Sequence, residues 1–160
     1  MGEGADSPLP FAGEVARRAG EGRGEGFRSG GCLCGDVRYR IALPPLWVAH
    51  CHCSTCRRAQ GAGFVTWAGA ADATFVLESG ADCLSRFKSS AAATRSFCKR
   101  CGTPLFFQST RWPGEIHVTL ASLDSHDGIE PQAHVYWSDH APWADWSGRD
   151  LPKTDPAESG

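Results

Sequence analysis

The sequence predicts a mainly β domain built on antiparallel sheet, and three observations carry that prediction. Short runs rich in β-branched and aromatic residues follow one another at close spacing, separated by Gly, Pro, Ser and Asp. No stretch holds the 3.6-residue apolar period of a long amphipathic helix. No internal repeat of fixed period is present. With 160 residues, 41% of them hydrophobic and 21% charged, the chain has room for one domain with an ordinary core.

Residues 1–26 form a lead rich in Gly, Glu, Arg and Ala, and between Ala12 and Gly26 its only large apolar side chain is Val15. Such a segment buries too little surface to offset its ordering entropy and is expected to be disordered. The domain is expected over 27–152, with a loose tail over 153–160. Val37, Tyr39 and Ile41 alternate with Asp36, Arg38 and Arg40, the pattern of a half-buried strand, which Pro44-Pro45 ends. Leu46-Trp47-Val48-Ala49 reads as a second strand running into Cys51. Arg57 to Gln60 can form one helical turn, stopped by Gly61 and Gly63. Strands are further expected at Phe64–Ala68, Thr74–Leu77, Cys83–Phe87, Thr94–Phe97, Leu105–Phe107, Ile116–Leu120 and Ala133–Trp137. Trp143 and Trp146 are expected to pack on the sheet.

Sixteen basic and eighteen acidic residues leave a formal net charge of -2. That balance argues against a nucleic-acid partner bound through a basic face. No apolar run spans a bilayer and the N-terminus lacks the apolar core of a secretory signal, so a cytoplasmic location is the expectation. In that reducing setting, eight cysteines read as metal ligands or reactive thiols before disulfides.

Seven of those eight fall in three clusters: Cys32-Leu33-Cys34, Cys51-His52-Cys53-Ser54-Thr55-Cys56, and Cys98-Lys99-Arg100-Cys101, with Cys83 alone as a small buried hydrophobe. Zinc takes four ligands tetrahedrally with Zn–S bonds of about 2.3 Å, which holds sulfurs ~4 Å apart. Alternate residues of a flat strand are spaced by ~6.7 Å. Cys32-x-Cys34 must therefore sit in a turn or bulge, which Gly30, Gly31 and Gly35 permit. Cys98-x-x-Cys101-Gly102 has the form of a knuckle whose backbone N–H groups face the thiolates. Spacing alone leaves two partitions. Either Cys32, Cys34, Cys98 and Cys101 hold one metal and Cys51, Cys53 and Cys56 another, or Cys53, Cys56, Cys98 and Cys101 make a single structural ribbon. The ribbon leaves three clustered thiols without a role.

Three stretches carry a resemblance to a known family. They are Gly31-Cys32-Leu33-Cys34-Gly35-Asp36-Val37-Arg38-Tyr39, His50-Cys51-His52-Cys53-Ser54-Thr55-Cys56-Arg57-Arg58 and Phe97-Cys98-Lys99-Arg100-Cys101-Gly102-Thr103-Pro104-Leu105. Together they resemble the glutathione-dependent formaldehyde-activating enzymes, a family that includes the centromere protein V domain. Leu120–Asp124 and Pro142-Trp143 are similar to its C-terminal part, so the likeness runs over roughly 27–152. The resemblance implies the first partition: an Mss4-like, zinc-binding antiparallel β-sheet domain with two zinc ions per chain. One would be structural at Cys32, Cys34, Cys98 and Cys101, the other at Cys51, Cys53 and Cys56. It also implies a carbon–sulfur lyase with glutathione as co-substrate, acting on a glutathione–aldehyde adduct.

The chemistry agrees with that division of labour. Four thiolates more than cancel a divalent charge and close the site, whereas three leave room for an incoming thiol, which a metal deprotonates. His52, with His50 behind it, is a candidate proton shuttle beside the ligands. Arg57 and Arg58 are candidates to hold a glutathione carboxylate. Trp47, Trp67, Trp137, Trp143 and Trp146 read as core or pocket wall. The competing reading is a non-catalytic zinc module that holds a thiol, a protein or a nucleic acid.

Overall fold

A computed structural model describes residues 26–144. The expected disordered lead and loose tail, and Trp146, lie outside the described residues.

Among the described residues, ten strands make two sheets. The smaller sheet has the order β1-β2-β5, from β1 (Gly26–Gly31), β2 (Arg38–Leu43) and β5 (Val76–Ser79). The larger is built from β3 (Trp47–Cys51), β4 (Val65–Ala71), β6 (Leu84–Lys88), β7 (Ala93–Cys98), β8 (Pro104–Ser109), β9 (Glu115–Thr119) and β10 (Ala133–Val135). Its order is β10-β3-β4-β9-β8-β7-β6. One helix among the described residues, α1 (Ser54–Gln60), begins three residues before the expected turn and stops at Gly61 in left-handed conformation. No helix among them is long and apolar enough to cross a membrane.

The alternation that runs from Val37 into β2 places Val37, Tyr39 and Ile41 inward, each with no accessible surface. They meet Val48, Ala68, Ala70, Leu105, Phe106, Ile116 and Val118 of the larger sheet in the main core. Tyr39 fits edge-on to Phe106 at 4.9 Å, and its hydroxyl is 2.6 Å from Ser122 Oγ. A second core covers the other face of the larger sheet, with Trp47, Ala49, Cys51, Cys56, Val65, Trp67 and Val135. Burying an aromatic or aliphatic side chain of this kind is worth about 1.5–3 kcal/mol, so both faces of β3 and β4 contribute.

The structure adds to or corrects the sequence reading at three places. β1 is a full strand although Gly26-Phe27-Arg28-Ser29-Gly30-Gly31 has no strand signature; it pairs with β2 from Gly26↔Leu43 to Gly31↔Arg38. Glycine is required at position 30 because a Cβ there would lie 2.6 Å from the Ser122 carbonyl and 2.7 Å from the Tyr39 ring. Second, the sheets are mainly antiparallel as expected, with the exception of β10, which runs parallel to β3 with His134↔His50 and Val135↔Cys51 in register. Third, Trp143 does not pack under cover on the sheet; it is 68% exposed, with its ring edge over Gly63.

Candidate metal centres

The thiols gather into two groups. Cys32, Cys34, Cys98 and Cys101 form one and Cys51, Cys53 and Cys56 the other, with all sulfurs of a group within 4.8 Å of one another. All eight cysteines are free of disulfides. The single ribbon does not form, because Cys53 and Cys56 belong to a different group from Cys98 and Cys101.

The four-thiol group is built on two turns. The chain leaves β1, bends through Cys32-Leu33-Cys34-Gly35 and enters β2; the second turn joins β7 to β8. Gly35 and Gly102 hold φ of 81° and 78°, which a Cβ would oppose. Their N–H groups donate to the Cys32 carbonyl at 3.0 Å and the Cys98 carbonyl at 2.8 Å. The Val37 N–H reaches Cys32 Sγ at 3.3 Å, and the Leu33 N–H ties one turn to the other through Thr103 Oγ1 at 3.1 Å. Sulfur separations of 3.4 Å (Cys32–Cys34) and 3.8 Å (Cys34–Cys98) lie close to the ~3.8 Å edge of a tetrahedron with 2.3 Å bonds. The donor set and its spacing thus fit a zinc-sized soft cation.

Hydrogen bonds from the Thr103 hydroxyl and backbone bring Cys101 down to about 5. Cys34 goes the other way: the Asp36 N–H favours its thiolate, but burial and the neighbouring sulfurs push it up to about 12. Crowded thiols of this kind cannot all ionise without a cation among them.

The three-thiol group lies against the second core, where β3 ends at Cys51 and α1 starts. Cys53 caps the helix, accepting from the Cys56 N–H at 3.3 Å. Cys51 and Cys56 are buried. Contacts with Cys53 and Cys56 raise Cys51, whereas hydrogen bonds from Cys51 and Cys53 bring Cys56 down to about 2. Three sulfurs at ligand spacing fit a metal held from one side.

His52 is 4% exposed, and its Nε2 lies 2.8 Å from His134 Nδ1. Phe64 and Trp137 pack around it, at 5.5 Å and 4.8 Å between ring centres. Burial, then the charges of His134, His140 and Arg57, lower its pKa and favour the neutral ring. His50 is engaged with Thr66 Oγ1 at 2.8 Å. The two arginines separate. Arg57 Nε donates to the His52 carbonyl at 3.0 Å and so positions that residue, while Arg58 is exposed on a cavity of about 520 Å³ beside α1. Trp47 and Trp67 are core, and Trp137 is half-exposed wall beside His52. Cys83 is half-buried, its Sγ 3.9 Å from an Asp36 carboxylate oxygen.

Sequence reasoning did not single out Arg95, His134 or Tyr136. Arg95 Nη2 donates to Cys56 Sγ at 3.5 Å. His134 arrives through the parallel β10 pairing, which no local pattern encodes. Tyr136 takes a left-handed φ of 56°, and burial and then the Cys51 and Cys53 charges raise its phenol. The one available signal for Arg95 was a guanidinium in a short strand three residues before Cys98.

The chain matches the family model described as glutathione-dependent formaldehyde-activating enzyme over residues 27–139. It is 29% identical over 128 residues to a Halomonas elongata protein provisionally named for that same activity, covering 76% of this chain and 82% of the relative. An uncharacterized lyase of Schizosaccharomyces pombe is 31% identical over 120 residues, covering 75% of this chain and 85% of the relative. Among solved structures, a Rhodobacter sphaeroides protein determined as a structural-genomics target superposes with a TM-score of 0.55 at 28% identity, covering 66% of this chain and 98% of the other.

Proposed function

The chain belongs to the glutathione-dependent formaldehyde-activating enzyme family, and on that premise we propose that it is a zinc-dependent carbon–sulfur lyase acting on a glutathione–aldehyde adduct. The observation that carries this reading is the unequal pair of thiol groups, four sulfurs in one and three in the other. The names of the relatives support the lyase class. Eight free cysteines support a reducing, cytoplasmic setting and two zinc ions per chain.

In the synthetic direction the glutathione thiol gives up its proton, its sulfur bonds to the aldehyde carbon, the carbonyl π pair moves to oxygen, and that oxygen takes up a proton in turn. Cleavage reverses each step. Zinc held at Cys51, Cys53 and Cys56 would supply a Lewis-acid position that favours an incoming thiol as its thiolate. The chain's residues supply the rest. His52, neutral and paired with His134, exchanges the proton with the adduct oxygen. Arg57 holds His52 in place by its carbonyl. Arg58, on the open cavity, offers its guanidinium to a glutathione carboxylate. Cys32, Cys34, Cys98 and Cys101 would hold a second zinc, which would supply stability to the fold.

Metal content per chain and thiol binding test the reading together. The intact protein is expected to hold two zinc ions and bind glutathione; Cys51→Ala is expected to hold one and lose binding. Equal metal content in the two proteins, or glutathione binding that survives loss of one zinc, would leave a scaffold rather than an enzyme.

A further inference from the structure

Arg95 is a half-buried cation beside the three-thiol group. Nη2 donates to Cys56 Sγ at 3.5 Å, and the guanidinium carbon lies 4.9 Å from the centre of the Phe107 ring. Nε and Nη1 are buried and meet no acceptor. No carboxylate among the described residues pairs with Arg95. Guanidinium nitrogens shielded from water are costly unless a negative charge accompanies them, and among the described residues the anionic group it touches is the Cys56 sulfur.

The four-thiol group has no such neighbour. Its nearest guanidinium, Arg100, is exposed and bonded to Asp36 at 2.8 Å. A half-buried guanidinium bonded directly to a sulfur is thus found at the group with three sulfurs. Three thiolates around a divalent ion carry a net charge of minus one, and a fourth anionic ligand would bring it to minus two. With Arg95 in place those totals become zero and minus one.

We propose that Arg95 is a positioning residue for the Cys51–Cys53–Cys56 centre, offsetting the charge of its thiolates so that the centre accepts an anionic sulfur as its fourth ligand. This rests on the reading of that centre as a three-thiolate metal site, and it assigns the preference for a thiolate over a neutral donor to one side chain outside the cysteine clusters. Arg95 shares a cavity of about 520 Å³ with Arg58, so a direct grip on a substrate carboxylate is the alternative that the experiment must separate.

The full-length protein loaded with cobalt provides the readout, because thiolate ligation changes the visible spectrum independently of turnover. Three probes are titrated: 2-mercaptoethanol, which has no carboxylate; 3-mercaptopropionate, which has one; and imidazole, a neutral donor. Arg95→Met is expected to weaken both thiols by about tenfold to a hundredfold, the scale of one unit charge several ångströms away at a protein-like dielectric. Imidazole should stay within about threefold, since it brings no charge. Arg95→Lys, which keeps the charge and loses the planar fork, should recover thiol binding to within about threefold. Equal weakening of thiols and imidazole would mean a merely structural role and overturn the proposal. Loss confined to 3-mercaptopropionate would replace it with a carboxylate clamp. Should Arg95→Met fail to take up cobalt, Arg95→Lys decides: weak thiol binding there overturns the proposal, retained binding supports it. A wild-type protein that takes up cobalt and binds no thiol defeats the three-thiolate reading itself, and this inference with it.

Discussion

The four-thiol group sits at the tips of two turns with Cys34 exposed, whereas the three-thiol group is set under the end of β3 against Trp67 and Val135. The more sheltered centre is thus the one read as reactive. Shelter is not needed where four ligands already saturate an ion. It is useful where a position is left for substrate, because a dry surrounding strengthens every charge interaction there. The groups also differ in reach. Cys34 and Cys98 are 64 residues apart and join the β1–β2 turn of the small sheet to the β7–β8 turn of the large one. Cys51, Cys53 and Cys56 close a loop of a few residues. A metal clip stabilises most when it closes a long loop.

The largest expected effect breaks this comparison open. Cys98→Ser should lose on the order of 5 kcal/mol or more, since metal binding to structural sites is worth ~10–16 kcal/mol and domains of this size have only ~5–15 kcal/mol in total. Cys53→Ser should cost less than about 2 kcal/mol, the ordinary range for a single substitution. Urea unfolding followed by circular dichroism measures both. Similar losses in the two variants would show that the short loop also holds the fold together.

A smaller effect sharpens the contrast in chemistry. His52→Gln keeps a side chain able to hydrogen-bond His134 but cannot exchange a proton near neutrality. Turnover of the glutathione–formaldehyde adduct should fall by about a hundredfold, the usual weight of a positioned acid–base group. Glutathione affinity should change by less than about threefold if His52 acts only in proton transfer. Steady-state kinetics with a separate binding titration distinguishes this from a packing role, in which both quantities would move.

What could be read in the sequence was local. Val37, Tyr39 and Ile41 alternate, so β2 and its inward face were legible, and Gly61 marked the end of α1. The cysteine spacings required turns at Cys32–Cys34 and Cys98–Cys101, and turns are there. How the seven thiols divide was not legible from spacing, because the division depends on which turn tips meet across the two sheets. β1 was missed because its glycines suit close approach to Tyr39 and Ser122 rather than β propensity. His134 and Arg95 reach the three-thiol centre through strand pairing, His134 opposite His50 in the parallel β10–β3 register, and pairing of that kind leaves no trace in neighbouring residues. Trp143 was expected under cover because tryptophan usually is, and the structure leaves most of its ring in solvent.

The smallest effect concerns the charge pairs around the four-thiol side. Arg38 binds the Asp124 carboxylate with both terminal nitrogens and thereby links β2 to the segment that crosses β1 at Leu123. That pair holds Asp124 below its ordinary value of 3.8, chiefly through the hydrogen bonds from Arg38. A carboxylate lowered on folding stabilises the folded chain above its unfolded pKa, and the contribution disappears as pH falls through the lower folded value. Both side chains are more than a third exposed, so solvent screening keeps the contribution near about 0.5 kcal/mol. Asp124→Asn should therefore be less stable than wild type by that amount at pH 7 in low salt, and the two should converge below about pH 4. Acid also protonates the thiols and releases metal, but it does so in both proteins, so the difference between them isolates the pair. A gap in urea midpoint that persists at pH 3 would mean that Asp124 acts through shape rather than charge, and that the four-thiol side depends on the fit between its two turns alone.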